Sequence, residues 1–120
     1  MKRTALARRT PLTRNKFGAR AREYAGREYH SQKEARYAAE LDLRAKAIGV
    51  DRITSWRPQV SVKLEVNGKL ICRYIVDFLV THADGHEEWI EVKGFETPEW
   101  KLKDKLFRAI FPDRKLTIVR

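Results

Sequence analysis

Residues 59–80, "QVSVKLEVNGKLICRYIVDFLV", restrict the fold more than any other stretch of the chain. Val60, Val62, Leu64 and Val66 alternate with Ser61, Lys63 and Glu65, the two-residue period of a strand with one covered face. Asn67 and Gly68 tolerate positive φ, which predicts a tight hairpin between this strand and the next. The second strand is apolar at nearly every position, as expected of a central strand covered on both faces. Asp77 falls near its end with the parity of Ile71, Ile75 and Leu79, where another aliphatic is the usual occupant. "HADGHE" turns the chain at Asp84 and Gly85, and "EWIEVK" follows as a third, antiparallel strand of a meander.

Helices flank the meander. "SQKEARYAAELDLRAKAIG", residues 31–49, starts at Ser31 as N-cap with Glu34 three residues on, and stops at Gly49. Its apolar stripe passes through Ala38, Leu41, Ala45 and Ile48, and extended backwards it lands on Glu34. After Thr97 and Pro98 a second helix carries Leu102, Leu106, Ala109 and Ile110 along one side, and "KLTIV" returns as a strand. A strand, helix and strand in succession form a crossover, so the last strand should run parallel to the third. The expected class is α/β or α+β, one mixed sheet flanked by helices in the order helix, three-stranded meander, helix, strand.

The 120 residues fit one domain with a modest core, residues 31–120, preceded by a basic arm over 1–30. The net charge is +10, and the arm holds nine Lys or Arg against two Glu, without helical or alternating period. Such an arm predicts a polyanionic partner, nucleic acid first, with a solvated tail or a ribosome-associating extension as the alternative. Arg14, Lys16, Arg20 and Arg22 of the arm, Lys33, and the row Lys101, Lys105 and Arg108 on the second helix are the candidate phosphate contacts, although a charged outer face would look the same. A single cysteine, Cys72, gives neither an internal disulfide nor a zinc site, and no apolar run is long enough to cross a bilayer. With no apolar leader at the N-terminus, a reducing, cytoplasmic setting is expected. His82 and His86 beside the turn are read as solvent-facing; Trp56, Arg57 and Gln59, ahead of the first strand, are read as packing residues first, with a stacking or phosphate-binding role as the alternative.

In an extended strand Trp89, Glu91 and Lys93 share one face while Ile90 and Val92 fill the other. Glu91 and Lys93 then stand roughly 6 to 7 Å apart, near enough to reach one phosphate without a direct pair. A hairpin centred at Asp84 and Gly85 sets Asp77 opposite Glu91, and two facing carboxylates are most simply kept charged by a divalent cation. Asp77 and Glu91 are hard oxygen ligands of the kind Mg²⁺ or Mn²⁺ takes, and Lys93 is a cation suited to steadying transition-state charge in phosphodiester hydrolysis. An exposed cross-strand salt bridge would account for Glu91 and Lys93 without chemistry; their place in apolar strands favours a site. Glu34 stays open between a capping role with Ser31 and a further ligand or water-orienting base.

"IVDFLV", the hairpin and "WIEVKG" resemble the PD-(D/E)XK nuclease signature, an Asp near a strand end followed by Glu-X-Lys on the next strand. Val76 stands where that signature has Pro. Through "SQKEARYAAEL", "RPQVSV", "YIVDFLV" and "EWIEVKGFETPEWKLKDKLF" the chain is similar to small phage and prophage proteins of that superfamily. The resemblance implies a restriction-endonuclease-like core. It implies that Asp77 and Glu91 bind the metal with the Val92 carbonyl, that Lys93 acts on the attacking water or the transition state, and that Glu34 is an added helix acid. The implied activity is Mg²⁺- or Mn²⁺-dependent DNA endonuclease, structure-selective or junction-resolving by analogy, in a host-cell cytoplasm. A homodimer is expected, since two cuts need two sites. The alternatives are a non-catalytic nucleic-acid-binding accessory protein of the same fold and, behind it, an RNA-binding protein.

Overall fold

The structure, a computed structural model, describes residues 22–49 and 52–120. These fall into two compact units, one reaching Ala39 and one spanning Glu40–Arg120. Among its described residues the first contains a short hairpin, β1 (Glu23–Tyr24) against β2 (Arg27–Glu28), within the stretch read as a basic arm. Tyr29 is buried, and its amide donates to the Arg22 carbonyl at 2.8 Å.

Helix α1 (Gln32–Lys46) runs across the division between the units. Ser31 caps it, its Oγ accepting from the Glu34 amide at 3.1 Å, and Arg44 and Lys46 place positive charge at the C-terminal end of the helix dipole. Glu34, Ala38 and Leu41 are buried along one stripe, as the spacing predicts. Ile48 departs from it: the helix closes at Lys46, and Ile48 is 99% exposed.

The second unit is built on a four-stranded sheet in the order β3-β4-β5-β6, with β3 (Ile53–Val66), β4 (Lys69–His82), β5 (Glu87–Val92) and β6 (Lys115–Val119). β3, β4 and β5 form the antiparallel meander. Helix α2 (Pro98–Ile110) carries the chain across so that β6 pairs parallel to β5. The mixed α+β architecture and the element order are those expected. Asn67 and Gly68, at φ 52° and 79°, make the predicted turn between β3 and β4.

Three local expectations are corrected. β3 begins at Ile53, so Trp56, Arg57 and Gln59 lie inside it; Pro58 is tolerated because β3 is an edge strand that need not donate on its outer side. β4 is not covered on both faces throughout: Ile71 and Ile75 are exposed while Tyr74 and Val76 are buried. On α2, Leu106 and Ile110 are half-buried against the core as read, but the buried side centres on Trp100 and Phe107, whereas Leu102 is 59% exposed and Ala109 is exposed too.

Phe107 centres the core on the α2 side of the sheet, edge-on to Tyr74 at 5.9 Å and to Trp89 at 5.6 Å between ring centroids. Val62, Leu64, Val76, Leu79 and Leu116 complete the cluster. Val76 and Leu79, three residues apart, both belong to it, which strict alternation would not permit. Across from that stretch of β4, Gln59 adopts φ +51°, with the register unchanged between the pairs Pro58–Phe78 and Val60–Val76. Asp77 lies in this stretch. Trp56 is a packing residue, as read: its ring meets Phe78 edge-on at 5.7 Å, and its indole N–H donates to Asp42 at 2.9 Å. Among the described residues no helix is long and apolar enough to cross a membrane.

Candidate active site

The β4–β5 ladder pairs Thr81 with Glu87, Val80 with Glu88, Leu79 with Trp89 and Phe78 with Ile90. One further step sets Asp77 against Glu91, and here side chains replace backbone acceptors. The Asp77 amide donates to Glu91 Oε1 at 3.3 Å, and the Val92 amide donates to Asp77 Oδ2 at 2.8 Å. Two amides where the ladder ends are thus satisfied by the two carboxylates, which are 6% and 4% exposed as residues. The arrangement follows from the turn at Asp84 and Gly85, where the His82 amide donates to the His86 carbonyl at 2.9 Å and fixes the register.

Lys93 completes the group. Its amide donates to the Val119 carbonyl at 2.7 Å, which ties the end of β5 to β6. Its Nζ stands 3.5 Å from Glu91 Oε2 and 4.9 Å from the centroid of the Trp100 ring. The expectation that Glu91 and Lys93 stand apart without a direct pair is therefore corrected. Strand parity sets the side on which the Cβ atoms project, but the four-carbon lysine stem can fold back to a buried carboxylate.

Trp100 and Tyr74 shape the site and were not singled out from the sequence. Trp100 Nε1 donates to the Tyr74 hydroxyl at 2.9 Å, joining α2 to β4 beside the acids. The available signal was the seven-residue spacing of Trp100 and Phe107, two turns apart on one helical face.

The electrostatics follow from burial. Glu91 is pushed from 4.5 up to about 7, first by loss of solvent and next by the charge of Asp77, against a smaller downward pull from Lys93 and the Asp77 amide. The Tyr74 hydroxyl is held far above the ordinary phenol range, first by burial and then by the nearby Glu91 charge. Adjacent buried carboxylates are a donor set that suits a hard divalent cation such as Mg²⁺ or Mn²⁺, since such an ion relieves the repulsion that otherwise protonates one of them.

Asp77, Glu91, Lys93 and the Val92 backbone are thus brought together within the second unit. Glu34 lies in the first turn of α1, in the other unit, buried and bonded through its amide to Ser31. Lys101, Lys105 and Arg108 stand exposed on α2, with Arg108 Nε donating to Asp104 at 3.1 Å. Lys33 is half-buried in the first turn of α1, and Arg22 is exposed, its Nε donating to the Tyr29 carbonyl at 3.2 Å. Arg14, Lys16 and Arg20 lie outside the described residues.

His82 is not solvent-facing. Its Nε2 lies 2.8 Å from Glu88 Oε1, and its ring stacks on that of His86 at 4.2 Å. Glu88, facing Thr117 and Lys115 of β6, draws the imidazole inward.

A family model described as a protein of unknown function, DUF1064, matches residues 14–120. No curated protein and no solved structure matches the chain.

Proposed function

Since the chain belongs to the DUF1064 family, whose description assigns no activity, we propose from the site itself that the protein is a divalent-metal-dependent DNA endonuclease of PD-(D/E)XK type. One observation carries this reading: Asp77, Glu91 and Lys93 meet where the β4–β5 ladder ends, two buried carboxylates with one ammonium beside them.

Asp77 and Glu91, with the Val92 carbonyl, would hold Mg²⁺ or Mn²⁺. Such an ion supplies a polarised phosphoryl oxygen and a bound water of lowered pKa. Lys93 positions the attacking water and balances charge that builds on the phosphate, and the Trp100 ring beside it keeps bulk water from screening that charge. Glu34 is the proposed additional acid. Arg22, Lys33, Lys101, Lys105 and Arg108, together with the basic residues 1–21, bind the DNA backbone without reading bases, so affinity falls steeply with salt. The active form is a homodimer, one site for each strand.

The test is cleavage of linear, supercoiled, flapped and four-way DNA in Mg²⁺, Mn²⁺ or EDTA. Wild type is expected to nick DNA only with metal, and Asp77→Ala and Lys93→Ala to lose about a hundredfold or more while still binding DNA. A wild type that binds every DNA and nicks none would identify the accessory-protein reading instead, and tighter binding of RNA would identify the third.

A further inference from the structure

Phe95 is 81% exposed, whereas the other described phenylalanines and the tryptophans are buried or half-buried. It lies two residues beyond Lys93, in the segment joining β5 to α2. That segment is tied down at both ends. On one side the Lys93 amide bonds the Val119 carbonyl; on the other Arg120 pairs with Glu96, its Nε donating at 2.8 Å, and the Thr97 hydroxyl accepts from the Trp100 amide to cap α2. The ring is therefore held out into solvent from an anchored loop.

Gly94, between them, is equally without an internal explanation. Its backbone lies outside the positive-φ range that demands glycine, and a Cβ there would meet no atom within 4 Å. Neither strain nor packing inside the protein requires a bare backbone at this point; close approach by something from outside would.

We propose that Gly94 and Phe95 form a nucleotide-docking step at the mouth of the site. Gly94 lets a sugar–phosphate backbone close onto Lys93, and the Phe95 ring stacks on the base of a neighbouring unpaired nucleotide. The inference rests on the nuclease reading and narrows its substrate to DNA with unpaired bases near the scissile bond, such as a flap or a single-stranded arm. In continuous duplex every base face is already occupied by its neighbours, so the ring gains a partner only after a base is unstacked. At an unpaired base that cost is small, and stacking on an aromatic ring is indifferent to base identity.

The experiment is fluorescence anisotropy in EDTA with three labelled DNAs: continuous duplex, single strand, and duplex with a single-stranded flap. Phe95→Ala is expected to weaken flap and single-strand binding by about tenfold and duplex binding by less than about twofold, with Phe95→Tyr restoring it. Gly94→Ala should not lower the thermal midpoint, raising it slightly if anything, and should weaken the same two DNAs. Equal losses on all three DNAs, no loss on any, or a change in solution mass for Phe95→Ala, marking a contact between copies, would each overturn the proposal. Failure of wild type to cleave with Mg²⁺ would sink the nuclease reading alone, because the binding comparison involves no turnover.

Discussion

The backbone amide of Asp77 donates to the carboxylate of Glu91, so one buried acid is held by the main chain of another. Fixing two negative groups this way is costly above the pH at which both ionise. Glu91 titrates near 7 in the folded chain against 4.5 when unfolded, so between these values the folded state keeps a proton that the unfolded state has released. Stability therefore falls as pH rises through that window, by about 3 kcal/mol in all. Glu91→Gln keeps the acceptor for the Asp77 amide and removes the titration, so its stability should be flatter across the window and higher above it. Urea unfolding in EDTA measures both; a wild-type slope that persists in Glu91→Gln would assign it to another group.

A cation that takes both acids as carboxylates should reverse this loss. Binding only to the folded chain stabilises it by about 2.7 kcal/mol at roughly a hundredfold excess over Kd. Mg²⁺ or Mn²⁺ should therefore raise the thermal midpoint of wild type. The rise should be larger above the Glu91 titration than below it, because the ligands must first lose their proton. Asp77→Asn, which retains an acceptor for the Val92 amide, should show almost none. An equal rise in Asp77→Asn would place the ion elsewhere, and the reading requires no catalysis.

The register that sets Asp77 against Glu91 was legible in the sequence because a short turn at Asp84 and Gly85 fixes which residues face each other on either side of it. The order of the elements was legible for the same reason: alternation, turn chemistry and capping are local signals. What escaped was decided at longer range. The direct contact between Lys93 and Glu91 is a choice of rotamer, which parity does not specify. The start of β3 was hidden by Pro58, harmless only on an edge strand, and edge position is a property of the assembled sheet. On α2, Leu106 and Ile110 were read onto the correct side, but the aliphatic stripe passed over Trp100, whose indole reaches Tyr74 of β4, and included Leu102, which faces solvent.

Trp100 also supports a prediction about how the site is held. Its indole N–H and the Tyr74 hydroxyl satisfy each other at 2.9 Å in a buried position, and the same ring lies beside the Lys93 ammonium. Tyr74→Phe strands the indole donor and Trp100→Phe strands the hydroxyl, so each single variant should lose about 1–3 kcal/mol. The double variant leaves no polar group unpaired at that point, and its loss should be smaller than the sum of the two. A urea-unfolding double-mutant cycle reads the coupling directly. Losses that add would mean the contact contributes no coupling energy, and that Trp100 is fixed beside Lys93 by its packing alone.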